Sequence, residues 1–240
     1  MKERPLGGLR VMRYYPVNLD VQNRSCLVVG GGAVGERKVK TLLECGADVV
    51  VITLLATEHL HDLASGDRIR LRLKRYQASD LDGQFLVIGA TGDEEVNQQI
   101  SGDASARGIL CNIADCPKAC TFVLPAVVSQ GDLVIAISTS NKSPAVAKRI
   151  RQALEKEFGP EYATLLSLMG AIRERLLAES RSPENHKQTF DRLLDEGLLE
   201  MIREERTPEV SALVQDVLGK GYTWEALIKN DQRSDKSGLL

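Results

Sequence analysis

Apolar runs alternate with amphipathic segments through the first half of the chain. Five short apolar runs predict β-strands at residues 25–29, 48–53, 69–73, 85–90 and 109–113. The segments between them predict helices at residues 33–45, 57–65 and 93–107. Strands that alternate with helices at this spacing indicate a doubly wound parallel sheet, so the expected fold class is α/β and Rossmann-like.

The pattern changes after the fifth strand. Residues 121–128 and 133–138 predict two antiparallel strands joined by a turn at residues 130–132. Only helical patterns follow, with starts expected near residues 144, 160, 183, 208 and 223. Ser143-Pro144, Ser182-Pro183 and Thr207-Pro208 each read as a capping residue followed by proline. Residues 231–240 are polar and are expected to be disordered.

Composition narrows the class of function. The chain has 240 residues, of which 43% are hydrophobic and 27% charged, as in a globular protein with a real core. A net charge of −2 and an aromatic content of 4% argue against partners such as nucleic acid or a membrane surface. The sequence shows neither a membrane-spanning apolar run nor a secretory leader, and five cysteines suggest free thiols. A cytoplasmic location is therefore expected.

A glycine motif lies where the first strand meets the first helix. Gly30, Gly32 and Gly35 have the G-x-G-x-x-G spacing of a dinucleotide-binding turn. The first glycine allows a tight turn, the second lets the backbone approach a pyrophosphate, and the third lets the helix pack closely. The amides near Ala33 and Val34 then face the pyrophosphate. The alternative is a glycine-rich turn with no ligand.

The end of the second strand bears on the choice of cofactor. It reads Thr53-Leu54-Leu55, without the acidic residue that commonly binds the ribose hydroxyls of NAD. No Arg or Lys stands nearby in the sequence to hold a 2′-phosphate. NAD is therefore favoured over NADP, with the ribose held by backbone groups and Thr53.

Polar residues follow the fourth and fifth strands at the edge of the sheet where ligands usually bind. After the fourth strand come Thr91 and Asp93, with Asn97 one turn into the helix; Asp93 is either a helix-terminal charge or a cofactor-side residue. After the fifth strand comes Asp115, close to Pro117. A carboxylate there can accept a proton as hydride leaves a substrate, or it can simply form a turn.

Three cysteines lie around this carboxylate, at positions 111, 116 and 120. Their spacing is not that of a zinc site, so small free cysteines are favoured and no metal site is predicted.

A polar loop at residues 138–143 enters the next helix. Its hydroxyls and amides, together with neighbouring basic residues, predict an anion-binding patch; a capped surface helix with solvated charges is the alternative. The candidate substrate-binding residues are Lys118, Ser138, Thr139, Lys142, Ser143, Lys148 and Arg149.

Taken together, these motifs resemble the siroheme synthase dehydrogenase family, also called precorrin-2 dehydrogenase/sirohydrochlorin ferrochelatase. They lie in the same order over about residues 12–180. The segments that carry the resemblance are 26–38, 90–93 with 96–97, 111–115, 121–126, 136–139 and 143–145.

The resemblance implies NAD-dependent oxidation of precorrin-2 to sirohydrochlorin, and some members also insert ferrous iron. It also implies a homodimer. The implied organisation is an NAD-binding Rossmann domain at 1–113, dimerisation strands at 114–142, a helical domain at 143–230 and a tail at 231–240. No methyltransferase domain of the kind found in longer relatives is expected.

The resemblance also assigns individual residues. Asp115 matches the family's essential aspartate. The dinucleotide contacts match Ala33, Val34, Leu54 and Leu55, so the missing ribose acid is typical of the family. The chain departs from the family in the polar loop, where Ser138-Thr139 replaces a Ser-Ser pair and Ser140-Asn141-Lys142 replaces Gly-Gly-Thr.

The implied substrate is an anionic tetrapyrrole, precorrin-2 or sirohydrochlorin, with Fe²⁺ or Co²⁺ as a further substrate if the protein is also a chelatase. The basic residues of the loop and helix suit such a polyanion. A non-enzymatic NAD-sensing regulator is the competing interpretation, and it requires neither Asp115 nor an anion patch.

Overall fold

A computed structural model describes residues 13–179 and 183–228, the side chains of residues 183–185 excepted. The chain divides into two compact units, one ending at Leu124 and the other beginning at Pro125. The predicted cap at Ser182 and the predicted disordered tail at 231–240 lie outside the described residues.

The first unit is a five-stranded parallel sheet with helices on both faces. Its strands are β1 (Ser25–Gly31), β2 (Asp48–Ala56), β3 (Arg70–Leu73), β4 (Leu86–Gly89) and β5 (Leu110–Ile113). Its helices are α1 (Ala33–Glu44), α2 (Glu58–Ser65) and α3 (Glu94–Arg107). The strand order β3-β2-β1-β4-β5 confirms the predicted Rossmann-like α/β fold. The order reverses between β1 and β4, which makes the carboxyl ends of these strands the expected ligand position.

Successive side chains of a strand point to opposite faces of the sheet. The sheet therefore has two apolar layers, one on each face. On one face, Val28 of β1 packs with Val39 of α1 and Leu60 of α2. On the other face, Leu27 packs with Ile100 of α3. The sheet is therefore covered on both sides, as a parallel sheet must be.

Most element boundaries follow the predicted local signals, but β1 and β2 both run beyond their predicted ends. Thr57 caps α2 by accepting a hydrogen bond from the amide of Leu60 at 3.4 Å. Gly108, with φ +66°, ends α3 in the left-handed conformation. Strand β2 was predicted to end at residue 53 but continues to residue 56, because Gly31 pairs with Ala56 beyond a register shift.

The second unit begins with a β-hairpin and continues with helices. The strands β6 (Ala126–Gln130) and β7 (Leu133–Ile137) are antiparallel, as predicted. The helices are α4 (Pro144–Glu157), α5 (Glu161–Ala178), α6 (Pro183–Asp195), α7 (Leu198–Arg203) and α8 (Thr207–Leu218). Residues 224–228 are also helical. Leu168, Ile172 and Leu176 of α5 form the centre of a core to which α6, α7 and α8 contribute.

Two predictions for this unit were wrong in detail, and one helix start was missed. Strand β6 begins at Ala126 and not at residue 121, because Thr121 instead hydrogen-bonds to Cys111 of β5. The helical run after residue 183 breaks at Gly197, whose φ of +85° starts the separate helix α7. Thr207 lies inside α8 and does not cap it.

None of the helices in the described ranges is long and apolar enough to cross a membrane.

Candidate dinucleotide and catalytic site

The glycine turn between β1 and α1 is shaped by close contacts on two of its three glycines. Gly30 has φ +119°, and a Cβ there would overlap the carbonyl of Ala90 at the end of β4. A Cβ on Gly35 would overlap the carbonyl oxygen of Gly30. Gly32 is different, because a Cβ there would meet no atom within 4 Å. The space above Gly32 is therefore open for a ligand to approach the backbone.

The first amides of α1, beside that open space, have no hydrogen-bond partner among the described residues. Gly32 is the N-cap of α1 and has no side chain to bond the first amides of the helix. The carbonyl of Gly32 accepts the first intrahelical bond, from Glu36, at 2.9 Å. The amides of Ala33 and Val34, at the positive end of the helix dipole, are thus placed to receive an anion such as a pyrophosphate.

The end of β2 presents apolar side chains next to this turn. Leu54 and Leu55 are 58% and 84% exposed. The hydroxyl of Thr53 donates a hydrogen bond to the carbonyl of Leu55 at 2.7 Å, which fixes the turn. Because this proton is already used, the Thr53 hydroxyl can only accept a hydrogen bond from a ribose hydroxyl. A Cβ on Gly31 would meet the same carbonyl at 2.5 Å, so the two strand ends are in close contact.

The backbone of a lysine borders this position, although no Arg or Lys stands nearby in the sequence. Because β3 is the neighbour of β2, the amide of Lys74 donates to the carbonyl of Thr53 at 2.9 Å. The ammonium of Lys74 is nevertheless held by the buried carboxylate of Asp80, with 2.6 Å between Nζ and Oδ1. Lys74 is thus committed to an ion pair, although its backbone borders the site.

The loop after β4 forms a compact polar turn. Asp93 caps α3, its Oδ1 accepting from the amides of Glu95 and Val96 at 3.0 and 3.2 Å. The side-chain amide of Asn97 donates to the carbonyl of Thr91 at 3.0 Å. The Thr91 hydroxyl lies 2.9 Å from the Asn97 amide oxygen. Asp93 therefore has a definite structural role, and a cofactor-side role for it stays a prediction.

Asp115 occupies an unusual backbone position immediately beyond β5. Its φ is +60°, in the left-handed region that aspartate and asparagine tolerate better than most residues. The amide of Ala114 donates to the carbonyl of Gly89 at 2.8 Å, which ties the start of this turn to the end of β4. The Asp115 side chain is exposed, and within the described residues it accepts no hydrogen bond. It is an available carboxylate on the same edge of the sheet as the glycine turn.

The sulfur of Cys120 holds the loop that carries Asp115. It accepts from the amide of Ile113 at 3.2 Å and lies 3.2 Å from the carbonyl oxygen of Cys116. The buried side chain of Asn112 donates to the carbonyl of Phe122 at 3.1 Å. Neither role was predicted from the sequence, although a buried polar residue in an apolar strand is a usable signal.

The three thiols of this region differ in environment. Burial raises the pKa of Cys111 to about 11, and burial also raises the pKa of Cys120. Cys116 is exposed. Within the described part of the chain, no cluster of three or more His, Cys, Asp or Glu side chains is arranged to hold a metal ion.

Lys38 of α1 is a half-buried lysine with a shifted pKa that was not singled out from the sequence. Its side chain is half-buried, on the flank of α1 between Gly35 and Leu42, one turn from each. Burial lowers the pKa of Lys38, the charge of Arg37 lowers it further, and the carboxylate of Asp115 raises it. The signal in the sequence was a lysine three residues beyond the third glycine, on the inward flank of the helix.

The predicted anion patch belongs to the second unit, except for Lys118, which lies on the Asp115 loop. Ser143 caps α4 by accepting from the amide of Val146 at 3.2 Å. Thr139 accepts from the amide of Ser143 at 3.3 Å, and Ser138 accepts from the amide of Ser140 at 3.2 Å. Three hydroxyls thus hold the loop, while its basic neighbours Lys142, Lys148 and Arg149 are exposed. Substrate contacts by these residues stay a prediction.

Comparison with known proteins bears on both the fold and the family. Residues 17–126 match the family described as "Putative NAD(P)-binding". The solved structure of "SirC, precorrin-2 dehydrogenase" resembles the chain with a TM-score of 0.71 and 25% identity, covering 85% of this chain and 98% of that one.

Curated relatives resemble the chain over most of its length. Siroheme synthase of Methylococcus capsulatus is 34% identical over 203 residues, which cover 85% of this chain and 43% of the relative. Siroheme synthase of Nitrosococcus oceani is 31% identical over 214 residues, which cover 89% of this chain and 46% of the relative. The chain thus spans a little under half the length of these curated relatives.

The fold, the glycine turn and the family match define an NAD(P)-binding protein of the Rossmann class. Within that class, the chain resembles siroheme synthases over most of its own length and a precorrin-2 dehydrogenase over nearly all of that structure.

Proposed function

We propose that the protein is an NAD-dependent dehydrogenase that oxidises precorrin-2 to sirohydrochlorin. The observation that carries the proposal is Asp115, an exposed carboxylate held at φ +60° on the sheet edge that also carries the glycine turn. The match to a precorrin-2 dehydrogenase over 98% of that structure supports the same reaction.

The residues of the first unit fit a dinucleotide. The open space at Gly32 admits the pyrophosphate, and the amides of Ala33 and Val34 face it. Leu54 and Leu55 offer exposed apolar surface beside the turn. When bound, NAD supplies the hydride acceptor.

Asp115 supplies the base in this mechanism. Oxidation of a CH–CH unit to C=C releases one hydride and one proton, and we assign the proton to the Asp115 carboxylate. The side chain is exposed, so an acidic macrocycle has direct access to it. The exposed cations Lys118, Lys142, Lys148 and Arg149 are candidate partners for the carboxylates of that macrocycle.

Asp115→Asn tests the assignment while preserving the fold, because asparagine also tolerates positive φ. We expect kcat to fall by about 10²- to 10⁴-fold, the range for loss of a general base. NADH fluorescence on mixing protein, NAD and precorrin-2 measures it. Asp67→Asn is the matched control, since Asp67 is also an exposed aspartate with positive φ, +55°, away from the carboxyl edge. Near wild-type turnover by the Asp115 variant contradicts the assignment.

Insertion of Fe²⁺ or Co²⁺ into sirohydrochlorin is a second candidate activity, with the metal ion as substrate. Asp115 favours it because loss of the pyrrole protons also needs an accessible base. Metal insertion no faster than in buffer would exclude it. A non-enzymatic NAD sensor is favoured instead if NAD binds but no NADH forms with the tetrapyrrole.

We further propose a homodimer in a reducing compartment such as the cytoplasm. The hairpin of the second unit leaves Val127 and Val134 41% and 53% exposed. All five cysteines are free, which suits a reducing compartment.

A further inference from the structure

The carboxyl end of β2 is the position at which a Rossmann-type sheet usually distinguishes NAD from NADP. An acidic residue there binds the ribose hydroxyls of NAD, whereas a basic residue accommodates the 2′-phosphate of NADP. In this chain Thr53 is followed by Leu54 and Leu55, so the strand itself supplies neither charge. Thr53 also borders the glycine turn, because a Cβ on Gly31 would come within 2.9 Å of its hydroxyl oxygen. A charge that acts on the ribose must therefore come from a neighbouring element.

Lys74 reaches this position from the next strand of the sheet. In the parallel pairing of β2 with β3, Thr53 lies opposite Leu73, and the amide of Lys74 donates to the Thr53 carbonyl at 2.9 Å. Lys74 is thus level with Leu54, at the carboxyl end of β2. Because a lysine side chain has a long flexible stem, an ammonium on this backbone position is suited to meet a 2′-phosphate.

Asp80 holds the ammonium of Lys74 in a different place. Asp80 belongs to the 3-10 turn Ala78–Leu81, and its side chain is 4% exposed. One carboxylate oxygen lies 2.6 Å from Lys74 Nζ, and the other accepts from the amide of Gln77 at 2.9 Å. The attraction in such a pair is screened less than that between exposed charges. The ammonium is therefore fixed on Asp80.

The place of this ion pair follows from the packing of the turn. Leu81, next to Asp80, is fully buried in the apolar layer between the sheet and α3, together with Ile52 of β2. The carboxylate is thus anchored against one face of the sheet, whereas a dinucleotide binds beyond the carboxyl edge. An ammonium bound to Asp80 is drawn toward that face and away from the edge.

We propose that Asp80 is a specificity-determining residue, which makes the site selective for NAD by sequestering the Lys74 ammonium from the 2′-phosphate position. The inference rests on the proposed function, since it concerns which dinucleotide that same site accepts. A 2′-phosphate meets the apolar side chains of Leu54 and Leu55, while the ammonium that would neutralise it stays on Asp80. The phosphate thus loses water without gaining a charge-assisted hydrogen bond.

Asp80→Asn tests the proposal in the protein without tetrapyrrole. Asparagine keeps an oxygen for the Gln77 amide, and the charge left unpaired is that of Lys74, which is 36% exposed and can turn to solvent. We expect calorimetry to show that the Kd for NADP falls at least about 10-fold while the Kd for NAD changes less than about 2-fold. An unchanged ratio of the two Kd values overturns the proposal, as does a wild-type protein that binds NADP as tightly as NAD.

A second substitution identifies the cation that is released. Adding Lys74→Met to Asp80→Asn should return the ratio of the two Kd values to that of the wild type. Adding Arg75→Met instead, which removes the exposed cation next in the chain, should leave the gain intact. A gain that survives Lys74→Met, or that disappears with Arg75→Met, overturns the role of Lys74.

Asp82→Asn is the control for net charge. Asp82 is a 72% exposed carboxylate just beyond the same turn, 3.7 Å from Arg107 of α3, and its substitution should change neither Kd. An equal gain in Asp82→Asn assigns the effect to net charge and overturns the proposal.

The variant that combines Lys74→Met with Asp80→Asn also serves as a test by itself, because it leaves no buried charge unpaired if Asp80→Asn alone is unstable. It should bind NADP no more weakly than the wild type does, since the sequestered ammonium does not contact the phosphate. Weaker binding of NADP means that Lys74 already meets the phosphate, and it overturns the proposal. These measurements need no turnover, so if selectivity changes as expected but no NADH forms with precorrin-2, it is the proposed function that fails.

Discussion

At the scale of single residues, Gly32 is a glycine that neither the backbone conformation nor the local packing requires. Its φ of −83° suits any residue, and a methyl group there meets nothing within 4 Å. Gly35 differs, since a Cβ would overlap the Gly30 carbonyl, and we attribute that glycine to helix packing. The open space at Gly32 is consistent with the close approach of a ligand, which we test by substitution.

Gly32→Ala should therefore fold normally and bind NAD more weakly. We expect the Kd for NAD, from calorimetry or NADH fluorescence, to rise at least about 10-fold because the methyl group holds the pyrophosphate away from the amides. The melting temperature should fall only slightly, because alanine is a poorer N-cap residue than glycine. Gly102→Ala is the control, an equally open glycine in α3, and it should raise stability by about 1 kcal/mol without changing Kd. Unchanged affinity in Gly32→Ala argues against a pyrophosphate at this turn.

The role of a residue could be predicted only where a short sequence pattern determines it. The spacing of Gly30, Gly32 and Gly35 is such a pattern. The bond from the amide of Ala114 to the carbonyl of Gly89 depends on the pairing of β5 with β4, and no local pattern encodes it. The same holds for Lys74, which borders Thr53 only because β3 pairs with β2.

At the scale of elements, the loop between β5 and β6 positions Asp115 through one sulfur. Cys120 accepts from the amide of Ile113 at 3.2 Å and lies 3.4 Å from the carbonyl oxygen of the same residue. Burial raises the pKa of Cys120, so the thiol stays protonated near neutral pH and can donate as well as accept. The short 3-10 turn between these anchors has no other side-chain cap.

Cys120→Ala should loosen this loop without unfolding the sheet. We expect a loss of stability of about 1 kcal/mol, the usual net value of a hydrogen bond, measured by chemical denaturation. We also expect a several-fold lower kcat, because Asp115 becomes less well oriented. Cys116→Ala, which truncates an exposed thiol in the same loop, should change neither quantity. Equal effects of the two substitutions contradict an anchoring role for Cys120.

Element boundaries were predictable where the local signal and the tertiary contacts agree. Asp93, Ser143 and Gly108 end or begin helices as their types suggest. Residues 121–125 look like a strand by apolarity, but Thr121 and Phe122 find their partners on β5. The break at Gly197 was missed because the helical pattern continues on both sides of it.

At the scale of the whole molecule, the hairpin of the second unit has one face without a partner in the described chain. Val128 is 1% exposed, on the face that packs against α4 and α5. Val127 and Val134, on the opposite face, remain exposed. A second copy of the chain is the occupant we propose, in agreement with the homodimer that the family resemblance implies.

Val134→Asp should therefore convert a dimer into monomers. In a two-fold symmetric interface the same residue is present on both sides, so one substitution buries two carboxylates and should weaken the dimer at least about 100-fold. Light scattering coupled to size-exclusion chromatography measures the mass, and circular dichroism checks that each chain stays folded. The control Leu177→Asp changes a residue of α5 that is 56% exposed, and it should leave the mass at that of the dimer. If the Val134 variant remains dimeric, the subunit interface lies elsewhere. If the wild-type protein is monomeric, the proposed dimer does not exist.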